Sequence, residues 1–158
     1  HGVRSIRDLS RVAPRFVFTA DPEFLNRRDC FLGLCNVYDL DFRRVEPCRV
    51  TERYALLESG GADVFLAYET DPELQSPTLR VLQDADGFFP EYHAVPAYSV
   101  AAAEHIDGLE DALNALAGVM TTPDLVQVVH KLRSRGTQPA IVREIAQQFL
   151  AETTRART

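Results

Sequence analysis

Phe65-Leu-Ala-Tyr-Glu-Thr-Asp71 carries the clearest indication of how this chain is built. It begins as an apolar run that fits a buried β-strand, and it ends in Tyr68, Thr70 and Asp71, whose side chains can bind a ligand. In open α/β sheets, ligands lie beyond the carboxyl ends of the strands. The stretch therefore predicts a strand that leads directly into a binding edge.

The chain before this stretch alternates strand-like and helix-like segments. Arg15–Thr19 is rich in apolar, β-branched and aromatic residues, which is typical of a strand, and Asp21-Pro22-Glu23 is a helix start. The other segments are a helix at 31–38, a strand at 42–46 and a helix that Thr51 caps and Gly60-Gly61 ends. This order of strands and helices predicts right-handed crossovers and a mainly parallel sheet.

The second half of the chain changes character. Leu79–Leu82 is predicted as a further strand, 88–92 as an aromatic loop and 93–100 as extended chain. Three amphipathic helices follow: one with an Asp107–Glu110 capping box, one from Thr122 to Gly136, and one that begins near Pro139. The sequence therefore predicts an α/β domain that ends in three helices.

Composition places the chain among ordinary globular proteins. Its 158 residues are 46% hydrophobic and 25% charged, which suits one domain or a part of a larger one. The net charge of −6 argues against binding to nucleic acid, which favours a basic surface. No apolar run in the sequence approaches the ~20 residues of a membrane-spanning helix.

The three cysteines do not form a metal-binding pattern. Cys30, Cys35 and Cys48 lack the CxxC spacing and the neighbouring histidines of zinc sites, so neither a metal nor a cofactor is expected. Two arrangements stay open. One is a disulfide of Cys30 or Cys35 with Cys48 in an exported protein, and the other is three buried free thiols.

Several short motifs occur in a specific order. They are Ser5-Ile-Arg-Asp-Leu9, Glu23-Phe24 followed by Arg27 and Asp29, Tyr54-Ala-Leu56, Ala62-Asp63-Val64, Thr70-Asp71, Leu79 to Asp84, Phe88-Phe-Pro-Glu-Tyr92, Pro96, and the closing helices with Val142, Ala146, Phe149 and Leu150. In this order and spacing, the motifs resemble the substrate-binding proteins of ABC importers for quaternary ammonium osmoprotectants, the glycine betaine/choline/carnitine type. The resemblance extends from about Ile6 to Leu150.

The resemblance implies a clamshell like that of periplasmic binding proteins, in which two α/β lobes close on a ligand. Residues 1–94 resemble the second lobe, with a mostly parallel sheet flanked by helices, and 95–158 resemble the C-terminal crossing segment and the three helices that return to the first lobe. The N-terminal part of the first lobe has no counterpart here. Cys30, Asp39 and Pro72 stand where the family usually has glycine, so we expect the loop at Pro72 to differ in shape.

Four residues are candidates for ligand binding, and three of them match ligand-binding positions of the family that the chain resembles. Tyr68 and Tyr92 match positions of an aromatic cage, whose ring faces attract a cation that has no N–H to donate. Arg27 aligns with an arginine whose planar fork binds the ligand carboxylate, a role that disappears if the ligand is choline. Thr70 is the fourth candidate, at the end of the predicted strand.

Each of these side chains also has a purely structural interpretation. A tyrosine can pack its ring in the core with its hydroxyl at the surface, which we expect for Tyr38, Tyr54 and Tyr98. Arg27 can be a surface arginine paired with an acidic neighbour. Thr70, together with the residue after it, can cap the next helical turn and fix its loop.

The resemblance implies a protein that captures glycine betaine, choline or carnitine outside the cytoplasm and delivers it to a membrane permease. An enzyme is not expected, because none of the four histidines, His1, His93, His105 and His130, lies beside a nucleophile or acid motif. The alternative is a sensory or protein-interaction module built on the same lobe. Half a clamshell would expose apolar surface to the missing lobe or to a second copy of the chain, which can dimerise by exchanging C-terminal helices.

Overall fold

The structure is a computed structural model of the chain, and it describes residues 2–156. His1 therefore lies outside the described residues. The chain divides into two compact units: the first contains the chain up to Tyr68 and Glu73–Glu91, and the second contains Glu69–Pro72 and the chain from Tyr92 onward. The assignment of 95–158 to a return into a first lobe stays a prediction.

A three-stranded parallel sheet lies in the first unit. In spatial order, its strands are β2 (Arg44–Pro47), β1 (Val17–Ala20) and β3 (Val64–Phe65). In this register, Phe18 of β1 lies opposite Val45 of β2 and Val64 of β3. All residues of β1 are buried, as expected of a parallel strand with a neighbour on each side. The predicted parallel arrangement is confirmed.

The strand β3 covers Val64–Phe65 and is shorter than the strand from Asp63 to Tyr68 that the sequence predicts. Its last bond to β1 runs from the Leu66 amide to the Thr19 carbonyl, at 3.2 Å. The ladder cannot continue much further, because β1 itself ends at Ala20. The chain therefore leaves the sheet before it reaches Tyr68.

The strand predicted at Leu79–Leu82 is wrong. Directly after this segment, Gln83 forms an isolated parallel bridge with Ser5. The bridge consists of a bond from the Ile6 amide to the Gln83 carbonyl at 2.9 Å and one from the Gln83 amide to the Arg4 carbonyl at 3.0 Å. After Gln83 the chain enters a hydrogen-bonded loop, so the bridge is not extended into a strand.

The helices described in the first unit are short. They are α1 (Ile6–Leu9), α2 (Pro22–Asn26), α3 (Phe31–Tyr38) and α4 (Arg53–Glu58). The predicted cap of α2 is confirmed, because the Asp21 carboxylate accepts a hydrogen bond from the Phe24 amide at 3.0 Å. Thr51 does not cap α4, whose N-cap residue is Glu52. Pro72 begins a 3-10 turn that ends at Gln75.

The end of α3 is set by Asp39. This residue adopts the left-handed conformation, with φ 52° and ψ 54°, and its amide donates to the Cys35 carbonyl. Among the described residues other than glycine, it alone has a positive φ. Aspartate tolerates this conformation better than most residues. The turn that glycine usually makes in the resembled family is therefore still made here.

Aromatic rings fill the core of the first unit. The ring of Phe18 stacks on that of Phe31 with 4.9 Å between centroids. Phe24 and Phe89 stack at 6.4 Å, and Phe88 stands edge-on to Phe89 at 5.0 Å. Such pairs contribute about 0.5–1.5 kcal/mol each beyond the burial of their area. Phe88 and Phe89 of the predicted aromatic loop are thus packed against this core.

All three cysteines are free thiols, which answers the alternative that the sequence leaves open. Cys30 and Cys48 are buried, and Cys35 is partly buried. Burial raises the pKa of the Cys30 thiol and raises that of Cys35 to about 11. Both thiols therefore stay protonated, and unreactive, near neutral pH. Within residues 2–156, no three His, Cys, Asp or Glu side chains form a group that could hold a metal ion.

The second unit is helical. Its described helices are α5 (Val100–His105), α6 (Leu109–Asn114), α7 (Thr122–Arg135) and α8 (Pro139–Ala156). The three predicted helices correspond to α6, α7 and α8, and α5 is an additional one. Among the apolar side chains described in this unit, only Val126 and Ile145 are buried. The helices of the described chain include none that is long and apolar enough to cross a membrane.

The caps of these helices differ from the predicted ones. α6 begins after Gly108, which has a φ of 74°, so Asp107 and Glu110 do not form a capping box. A capping box is found at α7 instead. There, the Thr121 side chain accepts from the Asp124 amide, and the Asp124 carboxylate accepts from the Thr121 amide at 2.9 Å.

Candidate ligand-binding site

The carboxyl edge of the parallel sheet is where the sequence predicts a binding site. β1 ends at Ala20 and continues through Asp21 into α2, and β3 ends at Phe65 and continues to Tyr68. Because β1 and β3 are parallel and paired, both connections leave the sheet at the same edge. Arg27 is the residue that ends α2. Arg27 and Tyr68 thus lie on the connections that follow two neighbouring strands.

Arg27 is held by two neighbouring carboxylates. Its Nε and Nη2 donate to the two oxygens of Asp29 at 3.0 and 2.5 Å, and its Nη1 donates to Glu23 at 3.4 Å. The bonds to Asp29 raise the pKa of Arg27, and in return the guanidinium lowers the pKa of Asp29. Both groups are therefore charged at neutral pH. The fork that would bind a ligand carboxylate is occupied by a carboxylate of the chain itself.

Tyr68 is half exposed beyond the end of β3. Its exposed fraction is 50%, and the guanidinium carbon of Arg53 lies over its ring, 5.1 Å from the centroid. A cation within about 6 Å of a ring centroid is attracted by the negative face of the ring. One part of the ring is therefore in contact with a charge of the protein, and another part is accessible from solvent.

Thr70 and Tyr92 belong to the second unit. Tyr92 is 76% exposed, and Thr70 is partly buried in a turn. Next to Thr70, the buried carboxylate of Asp71 accepts a hydrogen bond from Nη2 of Arg133 at 3.1 Å. Arg133 lies in α7, so this ion pair joins the segment that carries Thr70 to that helix.

The four predicted ligand-binding residues thus fall into two pairs. The first unit contains Arg27 and Tyr68, and the second contains Thr70 and Tyr92. Two surface pockets of the first unit, one at the amino end of β3 and one beside α3, are lined by neither member of the first pair. The ligand-binding role of all four residues stays a prediction.

Arg53 is the side chain near Tyr68 that sequence reasoning misses. It is the first residue of α4 and only 2% exposed, and its guanidinium carbon lies 5.5 Å from the ring centroid of Tyr54. Tyr54 is partly buried, as expected of a packed tyrosine, and stands edge-on to Phe65 of β3 at 5.0 Å. The sequence signal for this burial is weak, because an arginine at the start of a helix is normally exposed.

A second polar cluster fixes the loop that carries Phe89. Tyr38 is buried at the end of α3, and its hydroxyl donates a hydrogen bond to one carboxylate oxygen of Asp84. The other oxygen of Asp84 accepts from the Phe89 amide at 2.8 Å. The Asp86 amide in turn donates to the Tyr38 hydroxyl oxygen at 3.0 Å. Burial and the bond to Asp84 raise the pKa of Tyr38. Burial alone would raise the pKa of Asp84, but the hydrogen bonds it accepts lower it. The predicted structural role of Tyr38 is confirmed, whereas Tyr98 is 43% exposed and does not pack in a core.

A comparison with known protein families gives a match along nearly the whole chain. The family described as the substrate binding domain of ABC-type glycine betaine transport systems matches residues 1–152. The chain belongs to this family. The resemblance carried by the sequence motifs is therefore confirmed, and the family is one of binding domains of transport systems.

Relatives in this glycine betaine family are longer than the chain. The carnitine transport binding protein OpuCC of Listeria monocytogenes serotype 1/2a (strain 10403S) is 24% identical over 151 residues, which are 95% of this chain and 48% of OpuCC. A glycine-betaine-binding protein of Pseudomonas aeruginosa is 32% identical over 106 residues, 60% of this chain and 34% of that protein. The ergothioneine transport permease/ergothioneine binding protein EgtU of Helicobacter pylori (strain G27) is 32% identical over 94 residues, 60% of this chain and 17% of EgtU. The chain thus spans about half the length of OpuCC and less of the other two.

Solved structures agree with the family assignment. A crystal structure of a glycine betaine/carnitine/choline ABC transporter superposes with a TM-score of 0.69 and 26% identity, covering 95% of this chain and 53% of that one. Apo YehZ from Escherichia coli superposes with a TM-score of 0.57 and 21% identity, covering 95% and 56%, and supports the fold alone. The small parallel sheet flanked by helices is therefore part of a periplasmic-binding-protein fold.

Proposed function

We propose that this chain is the second-lobe portion of a substrate-binding protein of an ABC importer, and that it captures a quaternary ammonium compound such as glycine betaine, choline or carnitine. The observation that carries the proposal is the half-exposed ring of Tyr68 beyond the end of β3, in a chain of the glycine betaine transport family. The protein acts on the outer side of the cytoplasmic membrane. There it delivers the compound to a membrane permease.

Aromatic rings supply the attraction for the quaternary ammonium group. This group has no N–H to donate and keeps its charge at every pH, so it binds to the negative faces of rings. Each ring contributes about 0.5–2 kcal/mol, and more when water is excluded from the contact. Tyr68 and Tyr92 are both exposed enough to make such a contact. Closure of a clamshell on the ligand would remove the remaining water.

Arg27 supplies the recognition of a carboxylate. A betaine or carnitine carboxylate can replace Asp29 in the fork of Arg27, because an ion pair at the surface is weakly held. Thr70 adds a hydroxyl that can donate to a ligand oxygen. Choline has no carboxylate, so the contribution of Arg27 separates betaines from choline.

The remainder of the binding site is proposed to come from a part of the protein that this chain does not contain. The chain spans 48% of OpuCC and 53% of the matching crystal-structure chain. In a clamshell protein, the ligand is enclosed by both lobes. We therefore expect weak binding by this chain alone, and strong binding once a first lobe or a second copy of the chain completes the site.

Isothermal titration calorimetry tests the proposal. This chain, and the same chain joined to a first lobe of the family, are titrated with glycine betaine, choline, carnitine, proline betaine and ergothioneine. The proposal predicts micromolar or tighter binding by the two-lobed protein, which Tyr68→Ala and Tyr92→Ala each weaken about tenfold. The matched control is Tyr98→Ala, another exposed tyrosine, which should bind normally. If the two-lobed protein binds none of these compounds, the transport function is wrong.

A sensory or protein-interaction module is the second candidate, and the exposed apolar side chains of the second unit favour it. Val95, Val100 and Ile106 are each more than half exposed, whereas Val126 and Ile145 are the buried apolar side chains that the structure describes there. If these side chains form one continuous apolar patch, that patch marks an interface. Light scattering on size-separated protein distinguishes the candidates. A stable dimer that binds no quaternary amine favours the module, and ligand binding favours transport.

A further inference from the structure

Arg53 is buried although it carries a permanent charge. It is 2% exposed, and its guanidinium carbon lies 5.5 Å from the ring centroid of Tyr54 and 5.1 Å from that of Tyr68. A guanidinium that loses its water needs compensating partners, and its planar shape lets it stack on aromatic rings. The two tyrosine rings are therefore among the groups that compensate the buried charge.

The contacts of Arg53 connect Tyr68 to the sheet. Tyr54 follows Arg53 in α4 and meets Phe65, the last residue of β3, edge-on at 5.0 Å. Tyr68 follows β3 outside the ladder and contacts Arg53 from there. Phe65, Tyr54, Arg53 and Tyr68 thus form a continuous series of contacts. This series ties a ring that lies beyond the strand to the strand itself.

We propose that Arg53 is a positioning residue for ligand binding: its guanidinium holds one face of the Tyr68 ring and so presents the opposite face to the quaternary ammonium group. The inference rests on the proposed function, in which Tyr68 contacts the ligand. Arg53 does not touch the ligand and acts through Tyr68. A ring that is fixed before binding loses less conformational freedom when the ligand arrives, and this favours affinity.

Lysine is the informative replacement for Arg53, because it keeps the charge and removes the planar surface. An ammonium group is a compact, strongly hydrated point charge that cannot stack on two rings at once. Methionine is the second replacement. It fills the space without burying a charge, so we expect the variant to fold. Arg53→Lys and Arg53→Met both leave the Tyr68 ring without its planar partner.

The first experiment is a double-mutant cycle, measured by calorimetry of the two-lobed protein with glycine betaine. We expect Arg53→Lys to weaken binding about tenfold when Tyr68 is present, and by less than about twofold in a Tyr68→Ala background. Arg53→Met should behave in the same way. The matched control is Arg49→Lys, an exposed arginine that pairs with Glu52 at 3.7 Å, which should bind normally.

The second experiment needs no ligand. The chain has five tyrosines and no tryptophan, so a sample with carbon-13-labelled tyrosine gives a simple aromatic NMR spectrum, in which Tyr68→Phe identifies the signals of Tyr68. In Arg53→Lys, we expect the Tyr68 ring signals to move toward the positions of an unstructured tyrosine. The signals of Tyr38, which is buried and hydrogen-bonded elsewhere, should not move.

The outcomes separate this inference from the function on which it rests. If the wild-type protein binds glycine betaine and Arg53→Lys affects binding equally with and without Tyr68, the inference is wrong and the function stands. If the Tyr38 signals move together with those of Tyr68, Arg53 supports folding and the inference is also wrong. If the wild-type protein binds no quaternary amine, the proposed function itself fails. If Arg53→Lys weakens binding only when Tyr68 is present, and moves the Tyr68 signals but not the Tyr38 signals, both the inference and the proposed function are supported.

Discussion

Arg27 and Arg53 are surrounded in opposite ways. Arg27 is at the surface and forms ion pairs with Asp29 and Glu23. Arg53 is buried and makes cation–π contacts with two tyrosine rings. A surface ion pair can be exchanged for a ligand at little cost, but removing a partner from a buried charge is strongly destabilising. Their surroundings therefore suit Arg27 to ligand exchange and Arg53 to support.

Asp29→Ala tests whether the fork of Arg27 is the site of ligand exchange. The affinity for glycine betaine, relative to choline, should rise about threefold, because the ligand carboxylate no longer competes with Asp29. Calorimetry of the two-lobed protein with both ligands measures this ratio. Glu144→Gln is the control, because it removes an acidic partner, that of Arg135 at 2.7 Å, from another exposed arginine. A lower ratio in Asp29→Ala would show that Asp29 orients Arg27 instead.

Tyr38→Phe tests the polar cluster behind the Phe89 loop. The free energy of unfolding at neutral pH should fall by about 2 kcal/mol, because the Asp84 carboxylate loses a hydrogen bond in a partly buried place. The pKa of Asp84 is lower in the folded chain than in the unfolded chain. Its contribution to stability is thus complete above about pH 5 and is lost as the pH falls through the folded pKa.

The same cluster affects stability at alkaline pH with the opposite sign. The folded chain raises the pKa of Tyr38, so wild-type stability is retained below about pH 10 and declines as the pH rises through the folded pKa. Urea unfolding of wild type and Tyr38→Phe between about pH 3 and pH 11 measures both the acid and the alkaline loss of stability. Tyr98→Phe, at an exposed tyrosine, is the control. A Tyr38→Phe difference that is constant with pH would contradict the argument.

The prediction of single residues works where the relevant neighbours are close in the chain. Arg27 and its acidic partners lie within one motif, and the cap of α2 by Asp21 is confirmed for the same reason. Arg53 instead contacts the ring of Tyr68, which follows a different element. Such a contact exists only after the chain has folded, so no local pattern reveals it.

The secondary-structure elements show the same division between local and distant causes. α3 has the predicted bounds, because its apolar pattern and its left-handed end at Asp39 are encoded within the segment. β3 is shorter than predicted because a strand continues only while its partner does, and β1 ends at Ala20. The start of α6 is missed because Gly108, in a left-handed conformation, replaces the expected acidic cap.

Asp39→Gly tests the end of α3. Asp39 has a positive φ of 52°, which costs free energy for any residue with a Cβ atom. Glycine should therefore raise the free energy of unfolding by about 0.5–1 kcal/mol, and Asp39→Ala should lower it. Thermal and urea unfolding measure both changes. If glycine destabilises the chain, the aspartate side chain contributes more to the turn than the backbone conformation costs.

On the scale of the whole molecule, the two units differ in how much apolar surface they bury. β1 is buried throughout and α3 contributes three buried residues, whereas α5 and α6 contribute none. Segments with few buried apolar contacts open more easily than those in a core. Stability is therefore expected to be unevenly distributed along the chain.

Hydrogen exchange followed by mass spectrometry measures this distribution. Amides of β1 and α3 should exchange at least about a hundredfold more slowly than those of α5 and α6. α1 is the matched control, because it is a short helix that nevertheless buries Ile6 and Leu9. Its amides should exchange at rates between those of β1 and α3 and those of α5 and α6. Equal protection of all these segments would contradict the argument. Added protection of α5 and α6 in the two-lobed protein would show that the first lobe covers them.

The ion pair of Arg27 and Asp29 affects how the affinity for a betaine depends on salt concentration. Salt weakens the attraction between exposed charges. If a betaine carboxylate replaces Asp29, one ion pair is broken for each one formed, and screening acts on both. Affinity for a betaine would then change little with ionic strength, so the site would still bind its ligand at high salt concentration.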